Sequence, residues 1–282
     1  MKLSSYKSPT GNSYGIVTDA GIVDLGRRLG GKYPDLRSLL RCQAIEEARK
    51  ATQASSPDFQ ASEVTFLPVI PNPDKIVCIG LNYEEHRIEV NRDPTQHPTV
   101  FLRVPESQVG HNRPILRPRE SIRLDYEGEI AVIIGKAGRR IREEDAYDHI
   151  VGYSCYNEAS VRDFQQHCAQ YTAGKNFTAT GGFGPWMVTS DEIPAGTELE
   201  LTTRLNGQVM QNATTAMMIH SIPRQIAYIS LFTTLLPGDV IVTGTPGGVG
   251  ARRDPPVWLK PGDRVEVEVS RVGTLINTVV QD

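Results

Sequence analysis

Three carboxylates in the middle of the chain have the types and spacing to hold a metal ion. The stretch LDYEGEIAVIIGK, from Leu124 to Lys136, alternates in strand fashion. In a strand every second side chain points to the same face, so Glu127 and Glu129 project side by side. Like charges held that close cannot both stay ionised cheaply without a cation between them. A second strand-like run, VGYSCYNEASVRD, ends its apolar part at Asn157 and Glu158, which adds a third carboxylate. Three oxygen donors with no Cys or His among them suit a hard divalent ion, Mg2+ or Mn2+, with positions left for water and substrate. The competing reading of Glu127 and Glu129 is a solvated strand face, salt-bridged to Arg or Lys.

A second constellation could move protons. Lys75 to Gly80 reads as a short buried strand that delivers NYEEHRIE at its end, in what reads as a short helix. His86 and Glu89 are three apart on one helical face, so the carboxylate can hold the imidazole in the tautomer and orientation of a base. The same spacing also serves as plain surface decoration. Near the end of the chain, a strand from Val240 to Thr243 opens on GTPGGVG. That element lacks both the Lys-Ser/Thr of a phosphate loop and the G-x-G-x-x-G of a dinucleotide site. Its amide N–H groups and the Thr245 hydroxyl are candidate donors to a carboxylate, with a tight turn at a strand end as the alternative. The glycine-rich run from Gly26 to Lys32 has Tyr33 where a phosphate loop needs Ser or Thr, and no strand-to-helix context, so no nucleotide site is expected there.

The elements that must position these groups fall into two parts. Lys2 to Leu25 alternates with Gly-containing breaks, as in a small antiparallel meander, and Asp35 to Ala54 has the spacing of one helix capped by Asp35. The Pro-rich segment from Leu67 to Asp74 marks the expected boundary, giving a small N-terminal α/β subdomain over 1–70 and a catalytic domain over 71–282. Further on, Val100 to Arg103 reads as a strand, Pro105 to Pro118 as loop, and Ala159 to Ala169 as a short helix carrying Arg162, Asp163 and Gln165, where Arg162 and Asp163 could form a structural ion pair. Lys175 lies in a segment without periodicity, as suits a loop lining a pocket. Strands at Pro185 to Val188 and Leu199 to Arg204, a hairpin turn at Asn206-Gly207, a helix from Ile222 to Leu235 and an antiparallel pair over 263–280 complete the chain.

With 282 residues the chain can bury a sizeable core. A net charge of −3 with both signs interspersed gives no reason to expect nucleic acid, and Arg139, Arg140 and Arg142 read as a solvated turn. Cys42, Cys78, Cys155 and Cys168 are scattered without C-x-x-C spacing and read as buried free thiols in a reducing compartment. No apolar run approaches the length needed to span a bilayer, and the first residues lack an apolar core, so the expected location is the cytoplasm.

DYEGEIAVIIGK followed by GYSCYNEASVRDFQ resembles the core of the fumarylacetoacetate hydrolase family. IGLNYEEHRIEV, FLRVPES, GKNFTATGGFGPWMVT, LNGQVMQN and GTPGGVG fall in the family's order, so the resemblance runs from Lys75 to the C-terminus. It implies an α+β, mostly β architecture, a mixed sheet or β-roll catalytic domain, and a homodimer. It also implies Glu127, Glu129 and Glu158 as ligands of Mg2+ or Mn2+, His86 and Glu89 as a water-activating pair, Lys175 as a cation reaching the substrate, and Arg162 and Gln165 as substrate contacts. Two positions depart from the usual text: Glu158 stands where most members carry Asp, and Arg103 where many carry Lys. The implied activity is metal-dependent C–C hydrolysis of a 2,4-dioxo acid of the acylpyruvate type. Decarboxylation of an oxaloacetate-like acid, and isomerisation or hydration of a 2-oxo acid, pass through the same enolate and are the alternatives.

Overall fold

The computed structural model describes residues 1–52 and 55–282. Its centre is a sheet in the order Gly21–Asp24, Gly11–Thr18, Lys2–Ser8, Gly181–Thr189, Ile150–Glu158, Gly128–Ile134, Val240–Val242, Ile76–Gly80, Thr99–Arg103. Most neighbours are antiparallel, but Val240–Val242 runs parallel to Ile76–Gly80. A second sheet, Gln208–Thr214, Glu200–Leu205, Arg264–Val269, Gly273–Gln281 and Ile115–Arg117, packs on one face. The architecture is therefore α+β and mostly β, with mixed sheets.

Gly128–Ile134 and Ile150–Glu158 are buried along their whole length apart from Val151. Both faces of these central strands are covered, which is why their sequences read as near-continuous apolar runs. On one side Ile130, Val132 and Tyr153 pack against Leu201, Val267 and Leu275 of the second sheet and against Ile226 and Ile229 of the helix Ile222–Phe232. On the other, Ala131, Ile133 and Phe183 share a core with Leu3, Leu25, Leu36 and Leu39. The N-terminal meander thus continues the main sheet: Lys2 pairs with Val188 and Leu3 with Met187, and the sheet runs unbroken across the boundary expected near residue 70.

Several local expectations change. The helix expected over Asp35 to Ala54 is two, Leu36–Arg41 and Ile45–Ala51, because Gln43 takes a left-handed conformation (φ 53) between them. Asp35 caps the first as expected, its side chain accepting from Ser38 N. Positions 53 and 54 lie outside the described residues. The helix expected from Ala159 to Ala169 shrinks to Arg162–Gln165, because Ser160–Val161 pairs as a strand with Leu124–Asp125. Lys175 ends a one-turn helix, Thr172–Lys175, and the loop over Pro105 to Pro118 contains the short strands Gln108–Val109 and Ile115–Arg117. Cys78 and Cys155 are buried, but Cys42 and Cys168 are exposed, which corrects the reading of all four as buried thiols. No helix among the described residues is long and apolar enough to cross a membrane.

Candidate active site

Glu127 sits one residue before the strand Gly128–Ile134 and Glu129 one residue into it, while Glu158 ends the neighbouring strand. The register sets Gly128 opposite Asn157 and Glu129 opposite Tyr156, so the three glutamates meet at one end of the strand pair. Glu158 N donates to the Glu127 carbonyl at 2.8 Å, and Glu127 N donates to Asn157 Oδ1 at 3.0 Å. Gly128 separates the two glutamates because nothing larger fits: a Cβ there would lie 1.9 Å from Thr203 Oγ1 of the second sheet. Carboxylate oxygens of all three glutamates come within 4.8 Å of one another, and all three side chains are buried.

Three negative charges buried together need compensation, and the structure supplies part of it. Lys175 Nζ lies 2.8 Å from Glu127 Oε2 and 2.9 Å from Glu158 Oε2. Arg162 pairs with Glu127 Oε1 and, at 2.8 Å, with Asp125 Oδ2. Arg103 Nη1 stands 4.0 Å from Glu158 Oε1. Burial alone would raise the Glu127 carboxyl, but Arg162 and Lys175 overcome it and hold it down at about 2. Glu129 has no such ion pair among the described residues: burial, then Glu158 and Glu127, push its carboxyl well above the usual range, although Gly244 N donates to it. Burial would likewise lower Lys175, yet Glu127 and Glu158 raise it.

These features fit a divalent cation. The donor set is three carboxylates, as hard ions such as Mg2+ and Mn2+ prefer. Glu158 Oε1 is buried with no hydrogen-bond partner among the described residues, an oxygen in want of a cation. Burial and the neighbouring glutamates favour the neutral form of Glu129 at the same place, and a divalent cation would favour its ionised, ligating form.

His86 and Glu89 lie on the helix Glu84–Glu89, with Nδ1 of the imidazole 3.0 Å from Glu89 Oε2. The helix is placed by Asn82, whose amide bridges His220 O and Thr243 O at 3.1 and 2.8 Å. His86 is buried, and it lines the same cavity of about 400 Å3 as the triad, Arg162, Gln165 and Lys175. Arg162 pairs with Asp125 and Glu127, and Asp163 accepts from Ser121 Oγ at 2.7 and 2.8 Å, so the alternative of an Arg162–Asp163 ion pair is not what forms. Gln165 is held by Arg162 Nη1 at 3.0 Å.

Thr245 also lines the cavity, but its hydroxyl already donates to Gly128 O at 3.0 Å and accepts from Gln211 Nε2 at 2.8 Å. The glycine-rich element does bind carboxylates with its amides, and they are the protein's own. Gly244 N holds Glu129, Gly248 N holds Glu89 Oε1 at 3.0 Å, and Gly250 N and Ala251 N hold Asp125 at 2.8 and 3.0 Å. Sequence reasoning passed over Asp125 and the cationic role of Arg103. Asp125 lies inside the strand motif LDYEGEIAVIIGK, and its signal is an acidic residue where a fully buried strand should begin.

Comparison with known proteins places the chain in a family. The family model described as "Fumarylacetoacetate (FAA) hydrolase C-terminal" matches residues 75–280. Oxaloacetate tautomerase FAHD2A, mitochondrial, of Homo sapiens is 41% identical over 238 residues, spanning 84% of this chain and 76% of that one. Oxaloacetate tautomerase YisK of Bacillus subtilis is 38% identical over 286 residues, 94% of each chain. The structure of maleylpyruvate hydrolase from Sphingobium sp. SYK-6 in complex with manganese(II) and pyruvate superposes with a TM-score of 0.83 at 28% identity, covering 100% of this chain and 99% of that one. With the family match spanning the strands, the triad and the dyad alike, the chain belongs to the fumarylacetoacetate hydrolase family.

Proposed function

We propose that the protein is a divalent-metal-dependent tautomerase that interconverts the enol and keto forms of a 2-oxo acid of the oxaloacetate type. The observation that carries this is a single cavity lined by the carboxylate triad, Lys175 and His86. Two relatives named as oxaloacetate tautomerases, at 41% and 38% identity, support the choice of reaction. Glu127, Glu129 and Glu158 would hold Mg2+ or Mn2+, and such an ion supplies Lewis-acid polarisation and a template for a 2-oxo acid.

The chain's own groups do the rest. Glu89 occupies Nδ1 of His86 and leaves Nε2 as the nitrogen that exchanges a proton. In the keto-to-enol direction Nε2 takes a proton from the carbon beside the keto group, the C–H pair becomes the C=C bond, and the keto oxygen gains the charge and then the proton. Lys175 and Arg162 place fixed positive charge in the cavity where that oxyanion develops. Burial of the triad keeps this charge out of water, where it acts at full strength.

C–C hydrolysis of an acylpyruvate is the second reading, because the same dyad could activate water and a structurally similar protein is a maleylpyruvate hydrolase. Oxaloacetate decarboxylation needs only the metal and the cations. For the homodimer that the resemblance implies, the open sheet edge at Thr99–Arg103, with Leu102 and Phe232 exposed beside it, is the apolar surface a second copy would cover. The deciding experiment follows the absorbance of enol-oxaloacetate with Mn2+ and assays pyruvate release from oxaloacetate and from acylpyruvates. Fast loss of the enol without pyruvate release, abolished by a chelator, is the expected result. Pyruvate release from acylpyruvates with no effect on the enol would replace tautomerase by hydrolase.

A further inference from the structure

The mouth of the cavity carries two arginines that the chemistry above does not use. Arg92 and Arg252 both line it, both are exposed, and neither guanidinium has a hydrogen-bond or salt-bridge partner among the described residues. Their backbones are nevertheless fixed. Asn91 turns the chain out of the His86 helix with φ 54, and Arg92 N closes back on the Arg87 carbonyl at 3.1 Å. Arg252 ends the turn Gly250–Arg252, whose first two amides clasp Asp125, the carboxylate that also holds Arg162.

Charge counting shows what these two cations are available for. Four buried carboxylates, Asp125, Glu127, Glu129 and Glu158, face three buried cations, Arg103, Arg162 and Lys175. A divalent ion turns that excess of one negative charge into one positive, and the carboxylate next to a keto group restores neutrality. The interior is then balanced and offers nothing to a second anion. At the mouth, Arg92 and Arg252 have no acidic partner among the described residues, since Glu89 is engaged by His86 and the Gly248 amide and Asp93 acts on Arg87.

We propose that Arg92 and Arg252 receive a second carboxylate on the substrate, so that the site selects a 2-oxo dicarboxylate over a 2-oxo monocarboxylate. The inference rests on the reading of the site as one for metal-chelating 2-oxo acids, and it assigns the residues that set specificity within that class. An acyl tail of apolar character would leave both guanidinium groups facing solvent without a partner. A short dicarboxylate held at the triad would present its second carboxylate to the two guanidinium groups that line the same cavity.

The test separates this from catalysis by using inert ligands. Malate and 2-hydroxybutanoate chelate a metal through the same carboxylate and hydroxyl, and differ only in a distal carboxylate against a methyl group. Calorimetric titration of the Mn2+-loaded protein should show malate binding roughly 100-fold tighter, with about tenfold lost in each of Arg92→Gln and Arg252→Gln and nearly all of it in the double variant. Binding of 2-hydroxybutanoate should not change, and lysine at either position should restore part of the preference. In turnover the double variant should raise KM for oxaloacetate by a similar factor with kcat within about threefold of the parent. Equal affinity of the parent for the two ligands, or parallel loss of both in the double variant, overturns the inference. A malate preference that depends on the arginines in a protein that does not act on oxaloacetate would uphold it and remove the tautomerase reading instead.

Discussion

The wall that carries the three glutamates and the short helix that carries His86 and Glu89 face one cavity, yet they are built in opposite ways. The wall lies on the two central strands of the main sheet, buried on both faces and tied by charged contacts from Arg103, Arg162 and Lys175. The helix Glu84–Glu89 has six residues, and among its side chains only His86 is buried. It is entered through Leu81 and left through Asn91, both at positive φ, and is followed by an exposed run up to His97. Its link to the opposite side of the cavity is the Gly248 amide on Glu89. The difference follows from the two tasks. Metal ligands must hold their spacing against mutual repulsion, which takes a rigid and charge-balanced frame. A proton carrier must reach the substrate and release it, which suits an element with few ties.

If that contrast is right, changes in the wall should cost stability first and changes in the helix should cost rate alone. The largest stability effect is expected for Lys175→Met. It leaves Glu127 and Glu158 without the ammonium that bridges them, and removing one partner of a buried pair costs about 3–5 kcal/mol. Saturating Mn2+ should recover much of this, since it supplies positive charge at the same carboxylates. Urea unfolding with and without Mn2+ measures both figures. A metal-free variant as stable as the parent would show that the wall does not depend on Lys175 for its balance.

On the helix, His86→Ala should lower kcat by roughly 10²–10⁴-fold, the contribution of a positioned general base. Glu89→Gln should cost less, because the amide still holds the ring and only the charge behind it is gone. Neither should change Mn2+ affinity or shift the unfolding midpoint appreciably, for the helix is short and largely solvated. Loss of metal binding in His86→Ala would erase the division between wall and helix.

The same contrast explains how much could be read without coordinates. Glu127 and Glu129 are two apart and His86 and Glu89 three apart, so strand and helix periodicity alone bring each pair together. Glu158 needed only the end of one further strand. What the sequence hid is the set of contacts made across the fold: Asp125 holding Arg162, Gly248 holding Glu89, Gly244 holding Glu129, and Arg103 behind Glu158. Each joins residues far apart in the chain, and no local pattern specifies a partner at that distance. Thr245 shows the converse. Its hydroxyl looked free in a loop, and the sheet contact with Gly128 that engages it is invisible to periodicity. The helix break at Gln43 was missed for a similar reason, since the apolar spacing continues through it while the backbone turns.

The smallest effect, and the one that sharpens the picture of the wall most, concerns Glu158. Glu158→Asp restores the residue usual at this position and withdraws the carboxylate by one methylene. The lost burial amounts to about 0.8 kcal/mol, so stability should hardly change. Charge and ligand type are kept, and Mn2+ should remain bound with an affinity within about tenfold of the parent, or ~1.4 kcal/mol. The geometry around it changes more. Glu158 Oε2 is 2.9 Å from Lys175 and Oε1 faces Arg103 at 4.0 Å, so a shorter side chain cannot keep both approaches. Arg103 cannot follow it, being anchored to Ser107, Ala159 O and Thr180. The longer carboxylate and the arginine therefore act as a matched pair, and kcat should fall in Glu158→Asp and recover in part when Arg103→Lys is added. Additive losses in the double variant, measured as a thermodynamic cycle on kcat with Mn2+ saturating, would show that the two departures from the usual text are independent.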